Sequence, residues 1–104
     1  MTVGTDGGTI KVDFEWDEQK RLTISQDRHL DFRDAVQLFD GRNVYGYASN
    51  RHDESRWVNV GFIYQRLISV VWVEREGTIR IISMRRAWNA EEKVYRALYD
   101  KTTG

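Results

Sequence analysis

The sequence predicts an α+β fold: an antiparallel sheet of four to five strands, with two helices before it and one after it. Three observations predict this. The first is residues 68–86, where two runs rich in β-branched residues, Ile68–Val73 and Ile79–Met84, flank Glu74-Arg75-Glu76-Gly77-Thr78. Gly77 supplies the left-handed backbone of a tight turn, so this reads as a hairpin of two central strands. Neither run alternates cleanly between apolar and polar residues, so both faces of the hairpin are expected to be covered. The second is strict alternation at Ile10, Val12, Phe14 and Trp16, which marks a half-exposed edge strand. The third is helical spacing of apolar residues in two further segments.

In chain order, residues 1–9 are small, polar and glycine-rich and read as a disordered end, followed by a single domain over residues 10–101. Asp17 is placed to cap a first, polar helix, with Glu18 early and Lys20 and Arg21 later, as the helix dipole favours. Asp31 caps a second helix whose Phe32, Ala35, Val36 and Phe39 share a face; it stops at Asp40-Gly41. Val44–Ala48 is a short strand, residues 49–55 a polar loop, and Arg56–Tyr64 a longer strand. After the hairpin, Asn89 and Glu92 have capping-box spacing, and Ala90, Val94, Ala97 and Leu98 form the expected buried stripe of a last helix. The order β-α-α-β-β-β-β-α, with short connections, argues for an antiparallel sheet with helices packed on one face.

Composition narrows the functional classes. There is no cysteine among the 104 residues, which excludes disulfides and thiolate metal sites. No apolar run approaches the roughly 20 residues of a membrane span, so a cytoplasmic location without membrane contact is expected. The formal charge is zero overall but uneven. Residues 1–54 hold 7 basic and 11 acidic side chains, a net −4, while residues 55–104 hold 9 and 5, a net +4. Twelve of the sixteen basic residues are arginine, whose rigid fork suits bidentate phosphate contacts.

The chain has no Gly-rich phosphate loop, no paired-histidine metal motif and no serine elbow. His29 and His52 stand alone, so neither a metal nor a cofactor is expected. What remains is a set of Arg, Glu, Tyr and His. Metal-free RNA cleavage needs a base for the ribose 2′-hydroxyl, an acid for the leaving oxygen and cations on the phosphate. Arg56, Arg75, Arg80 and Arg85 can supply the cations, and Glu54, His52, Glu91 and Tyr95 the proton transfers. A purely architectural alternative is that Arg80 and Arg85 pair with Glu91 and fasten the last helix to the sheet. Trp57, Trp72 and Trp88 can stack on bases or fill the core.

Three stretches resemble the BrnT family of toxins. They are Phe14-Glu15-Trp16-Asp17 with Lys20, Phe32, Ala35 and Phe39; Glu54-x-Arg56 with Gly61; and Arg80-Ile81-Ile82-Ser83-Met84-Arg85 with Ala87, Glu91 and Tyr95. The resemblance implies a RelE-like fold and a metal-independent ribonuclease of a type II toxin–antitoxin system that arrests translation. It implies a cognate BrnA-like antitoxin as partner, RNA as substrate, and operator DNA bound only through the antitoxin complex. Carried onto matching positions, it makes Arg56, Arg80, Arg85, Glu54 and Tyr95 catalytic and leaves Arg75, Arg86, His29 and Arg28 as RNA contacts. The chain departs from the family at Ile24, where Asn is usual, and at Asp27-Arg28-His29, where Lys-His-Gly is usual. That departure favours a second reading, an inactive relative serving as a protein-interaction module. Exposed aromatics such as Trp88 and Tyr99 suit an interface with the antitoxin or a homodimer.

Overall fold

Glu76 and Gly77 both adopt positive φ, 50° and 84°, and this two-residue turn joins the strands of the anticipated hairpin. In a computed structural model, which describes residues 2–3, 12–51 and 54–100, that hairpin lies inside a mixed sheet. The strands are β1 (Thr2–Val3), β2 (Val12–Trp16), β3 (Tyr45–Arg51), β4 (Glu54–Ile63), β5 (Arg66–Arg75) and β6 (Thr78–Arg86). Their spatial order is β1-β2-β6-β5-β4-β3. The helices are α1 (Glu18–Arg28), α2 (Phe32–Ala35) continued by a 3-10 turn (Val36–Phe39), and α3 (Asn89–Tyr99). The class is the anticipated α+β. Of the segment expected to be disordered, only Thr2 and Val3 are described, and they pair with Val12 and Asp13.

Several local expectations need correction. The sheet is not wholly antiparallel, because β2 runs parallel to β6, with Phe14 opposite Ile79 and Trp16 opposite Ile81. The intervening helices and strands provide the long crossover that a parallel pair requires. The anticipated polar loop at 49–55 is largely strand: Ser49 pairs with Arg56, Asn50 with Ser55 and Arg51 with Glu54. Backbone pairing, not apolar alternation, carries this hairpin past its buried part. The last helix is capped at Trp88, whose backbone N–H donates to the Glu91 carboxylate at 2.8 Å, so Asn89 is its first residue rather than its cap.

The helices also lie on both faces of the sheet. On one face Ile68, Val70, Trp72, Ile81, Met84 and Ile63 pack with Ile24 of α1 and with Phe32, Ala35 and Leu38. On the other, Val58, Val60, Leu67 and Val71 pack with Tyr95 of α3. The alternation along β5 divides its residues between the two cores. α3 turns Glu91 and Tyr95 inward, while Val94 and Leu98 are 39% and 48% exposed, and Ala90 and Ala97 are also exposed. The expected buried stripe of this helix is therefore its outer face.

Candidate active site on the open face of the sheet

α3 covers only one end of its face of the sheet. The register divides that face into cross-strand rows. Tyr45, Val60, Ser69 and Arg85 form the row beneath α3; Tyr47, Val58, Val71 and Ser83 form the next. Beyond them Ser49 pairs with Arg56, and Val73 with Arg80, which in turn faces Glu15. Tyr47, Ser49, Arg56, Val58, Val71, Ser83, Arg85 and Trp88 together line an open cleft of about 200 Å³.

A β-bulge decides which arginines reach this face. Val71 pairs with Ser83 but Trp72 pairs with Ile81, so Ile82 is an extra residue in β6. In a regular strand, positions 80 and 85 point to opposite faces. The extra residue shifts the alternation, so Ser83 and Arg85 join Arg80 on the α3 face while Ile81 and Met84 stay in the opposite core.

Arg85 is held by Glu91, which is 4% exposed. Arg85 Nη1 donates to Glu91 Oε1 at 2.7 Å and Nη2 to Oε2 at 2.9 Å. Ser69 Oγ donates to Oε1 at 2.8 Å and Tyr47 Oη to Oε2 at 2.5 Å. Burial by itself raises the Glu91 pKa, but the bonds from Arg85, Tyr47, Trp88 and Ser69 outweigh it and hold the carboxyl at about 2. Burial, and then the hydrogen bond to Glu91, push the Tyr47 phenol up to about 12. The Arg85 guanidinium also lies over the Trp88 ring, 3.5 Å from its centroid, with half of Trp88 left exposed.

Other cations lie along β6 and α1. Arg80 Nη1 donates to Glu15 at 3.2 Å rather than to Glu91. Lys20, Ile24 and Arg28 stand four residues apart on α1. Ile24 is buried in the core, and Arg28 donates to the Met84 carbonyl at 2.9 Å, on the part of β6 that β2 leaves uncovered. Lys20 titrates below an ordinary lysine, first through partial burial and then through the positive charges of Arg56, Arg80 and Arg28, with Asp17 opposing. These four side chains thus share one positive field.

The anticipated site residues separate accordingly. Arg56 and Arg85 line the cleft, and Arg80 shares its sheet face. Glu54 pairs with Arg51 at the start of β4; its side chain, and all of His52, lie outside the described residues. Tyr95 is buried and packs edge-on against Phe62, away from the cleft. Arg75 sits exposed beside the Glu76-Gly77 turn, and Arg86 is exposed at the end of β6. His29 closes α1 in a left-handed conformation and borders a different hollow, with Asp31, Tyr64 and Arg66. Among the described residues no three His, Asp or Glu side chains converge as metal ligands would. Tyr47, Ser49 and Ser83 were not anticipated; the pairing of β3 with β4 and the bulge bring them in. Alternation along β3 groups Tyr47 with Ser49, but nothing in the sequence announces the bulge that turns Ser83 to this face.

The family model for the BrnT ribonuclease toxin of type II toxin–antitoxin systems matches residues 16–91. The chain belongs to the BrnT family. No curated protein matches it. The matched span runs from the end of β2 to Glu91, so it takes in every residue that lines the cleft. As a BrnT member the chain has RNA as its substrate class and an antitoxin as its partner.

Proposed function

We propose that this BrnT-family chain cleaves RNA in the cleft between β3–β6 and Trp88 without a metal ion, arrests translation in the cytoplasm, and is neutralised by a cognate BrnA-like antitoxin. The observation that carries the reading is the meeting of Arg56, Arg85 and half-exposed Trp88 in one open cleft of a rigid sheet. Arg56 and Arg85 bind the scissile phosphate, and Arg80 and Lys20 add to the field that draws the backbone in. Trp88 offers a ring for a base to stack on. Glu54, two residues before Arg56 on β4, is assigned to proton transfer. Tyr95 is assigned to packing, since its ring closes the core beneath α3.

The test is cleavage of end-labelled RNA in EDTA. Wild-type protein is expected to cut and to leave 2′,3′-cyclic phosphate ends. Arg56→Ala is expected to lower kcat/KM by about 100-fold, the scale for losing one donor to a developing charge. Cleavage that persists unchanged in Arg56→Ala would remove this site assignment.

Besides the departures at Ile24 and Asp27-Arg28-His29, one structural observation favours the interaction-module reading: Arg85 and Arg80 both already engage carboxylates, Glu91 and Glu15. Wild-type protein that leaves RNA intact and permits normal growth on overexpression, yet binds the antitoxin, would decide for it.

A further inference from the structure

Glu91 accepts from a guanidinium, a phenol, a hydroxyl and a backbone N–H, and is nearly inaccessible. A carboxylate with both oxygens engaged in this way is not available as a base. Its two charged or ionisable partners, Arg85 and Tyr47, both line the cleft, whereas Ser69 is fully buried. The bonds to Arg85 use the end of its fork, Nη1 and Nη2. A guanidinium has five N–H groups in a fixed plane. The Nη1/Nη2 end is spent on Glu91, Nη1 also donates to the Arg86 carbonyl at 3.5 Å, and the Tyr47 hydroxyl bonds the same guanidinium, so the lateral edge that carries Nε–H is the side left to meet a further anion. Trp88 covers one face of that plane.

We propose that Glu91 is the positioning residue of the cleft: it grips Arg85 by the end of its fork and Tyr47 by its hydroxyl, so that the lateral edge of Arg85 is presented as a preformed receptor for one RNA phosphate. This rests on reading the cleft as the RNA site. Glu91 does not touch the substrate. It fixes two groups that do, and it limits the side-chain entropy Arg85 loses on binding phosphate.

The test uses the full chain and inorganic phosphate as probe, so it does not depend on turnover. The Arg85 Nε–H resonance, assigned by its loss in Arg85→Lys, is followed as phosphate is added. A saturable shift is expected in wild type, with Kd weakened at least about 10-fold in Glu91→Gln while circular dichroism shows a folded protein. If Glu91→Gln fails to fold, Glu91→Asp is read instead; it keeps the charge but is too short to grip both partners. In RNA cleavage the defect is expected in KM more than in kcat. An unchanged phosphate Kd in the folded Glu91 variant, or no Arg85 shift in wild type, overturns the proposal. Phosphate bound as expected by a wild-type protein that cleaves no RNA would sink the nuclease reading and leave this one standing.

Discussion

Among single residues, Glu91 has the largest consequences. Its carboxyl is held at about 2, below the 4.5 of an unperturbed glutamate. A depressed acid contributes stability that is complete above the unfolded-state pKa and lost as pH falls through the folded-state value. Urea midpoints are therefore expected to fall between about pH 4.5 and 2, and to fall less steeply in Glu91→Gln. Equal slopes in the two proteins, measured by fluorescence, would show that Glu91 is not the group responsible. Removing the carboxylate altogether strands a partly buried guanidinium, so Glu91→Ala is the harsher change. The same bonds, together with Tyr95 packed against Val58, Val60 and Leu67 and the Tyr99 hydroxyl on the Val44 carbonyl, keep α3 docked although its apolar stripe faces away.

Between elements, β4 approaches the 3-10 turn after α2 and the segment that follows it closely at Gly61. A Cβ built on Gly61 meets Leu38 Cδ2 at 2.9 Å, the Asn43 carbonyl at 3.2 Å and Val44 Cγ1 at 3.2 Å. Asn59 binds the same turn, donating to the Leu38 carbonyl at 3.3 Å, while its oxygen accepts from Trp72 Nε1 at 3.0 Å. Gly61→Ala is expected to cost about 1–3 kcal/mol through overpacking. A thermal melt within about a degree of wild type would show that the turn yields freely, contrary to this packing. The bulge at Ile82 acts at this scale too. Without the extra residue, Arg85 would point into the core that holds Phe32 and Leu38, and the cleft would lose its Glu91-bound cation.

For the whole molecule, the two faces of the sheet divide the work. One is closed by α1, α2 and the 3-10 turn around an aromatic run, Phe14 on Phe39, Phe39 on Trp72 and Trp72 on Trp57. The other is half closed by α3 and half open as the cleft. Trp88, Val94 and Leu98 are among the large apolar side chains the described surface exposes, and all three are on α3 or cap it. A toxin with a protein partner needs a surface of this kind, and we place the antitoxin contact there. Val94→Lys with Leu98→Lys is expected to leave the melting temperature and RNA cleavage near wild type and to weaken antitoxin binding by at least about 10-fold. Undiminished affinity by calorimetry would move the interface elsewhere. Light scattering on the same variants tests the alternative that this face joins two copies of the chain.

The sequence by itself determined the class, the element order from β2 onward, the Glu76-Gly77 hairpin and the Asp17 and Asp31 caps, because these follow from local spacing and backbone preference. The Asp17 side chain accepts from the N–H groups of Gln19 and Lys20, and Asp31 from that of Arg33, as their positions required. The sequence also placed Arg56, Arg80 and Arg85 among the functional candidates. Tertiary structure decided what local rules cannot reach. It made β2 parallel to β6 and sent the helices to opposite faces. It turned α3 so that Glu91 and Tyr95 went inward and Leu98 outward: five hydrogen bonds from β3, β5, β6 and Trp88 meet the Glu91 carboxylate, and Tyr95 packs with Val58, Val60 and Leu67. It also set Arg80 and Arg85 on one face, through an extra residue in β6 that no alternation rule announces.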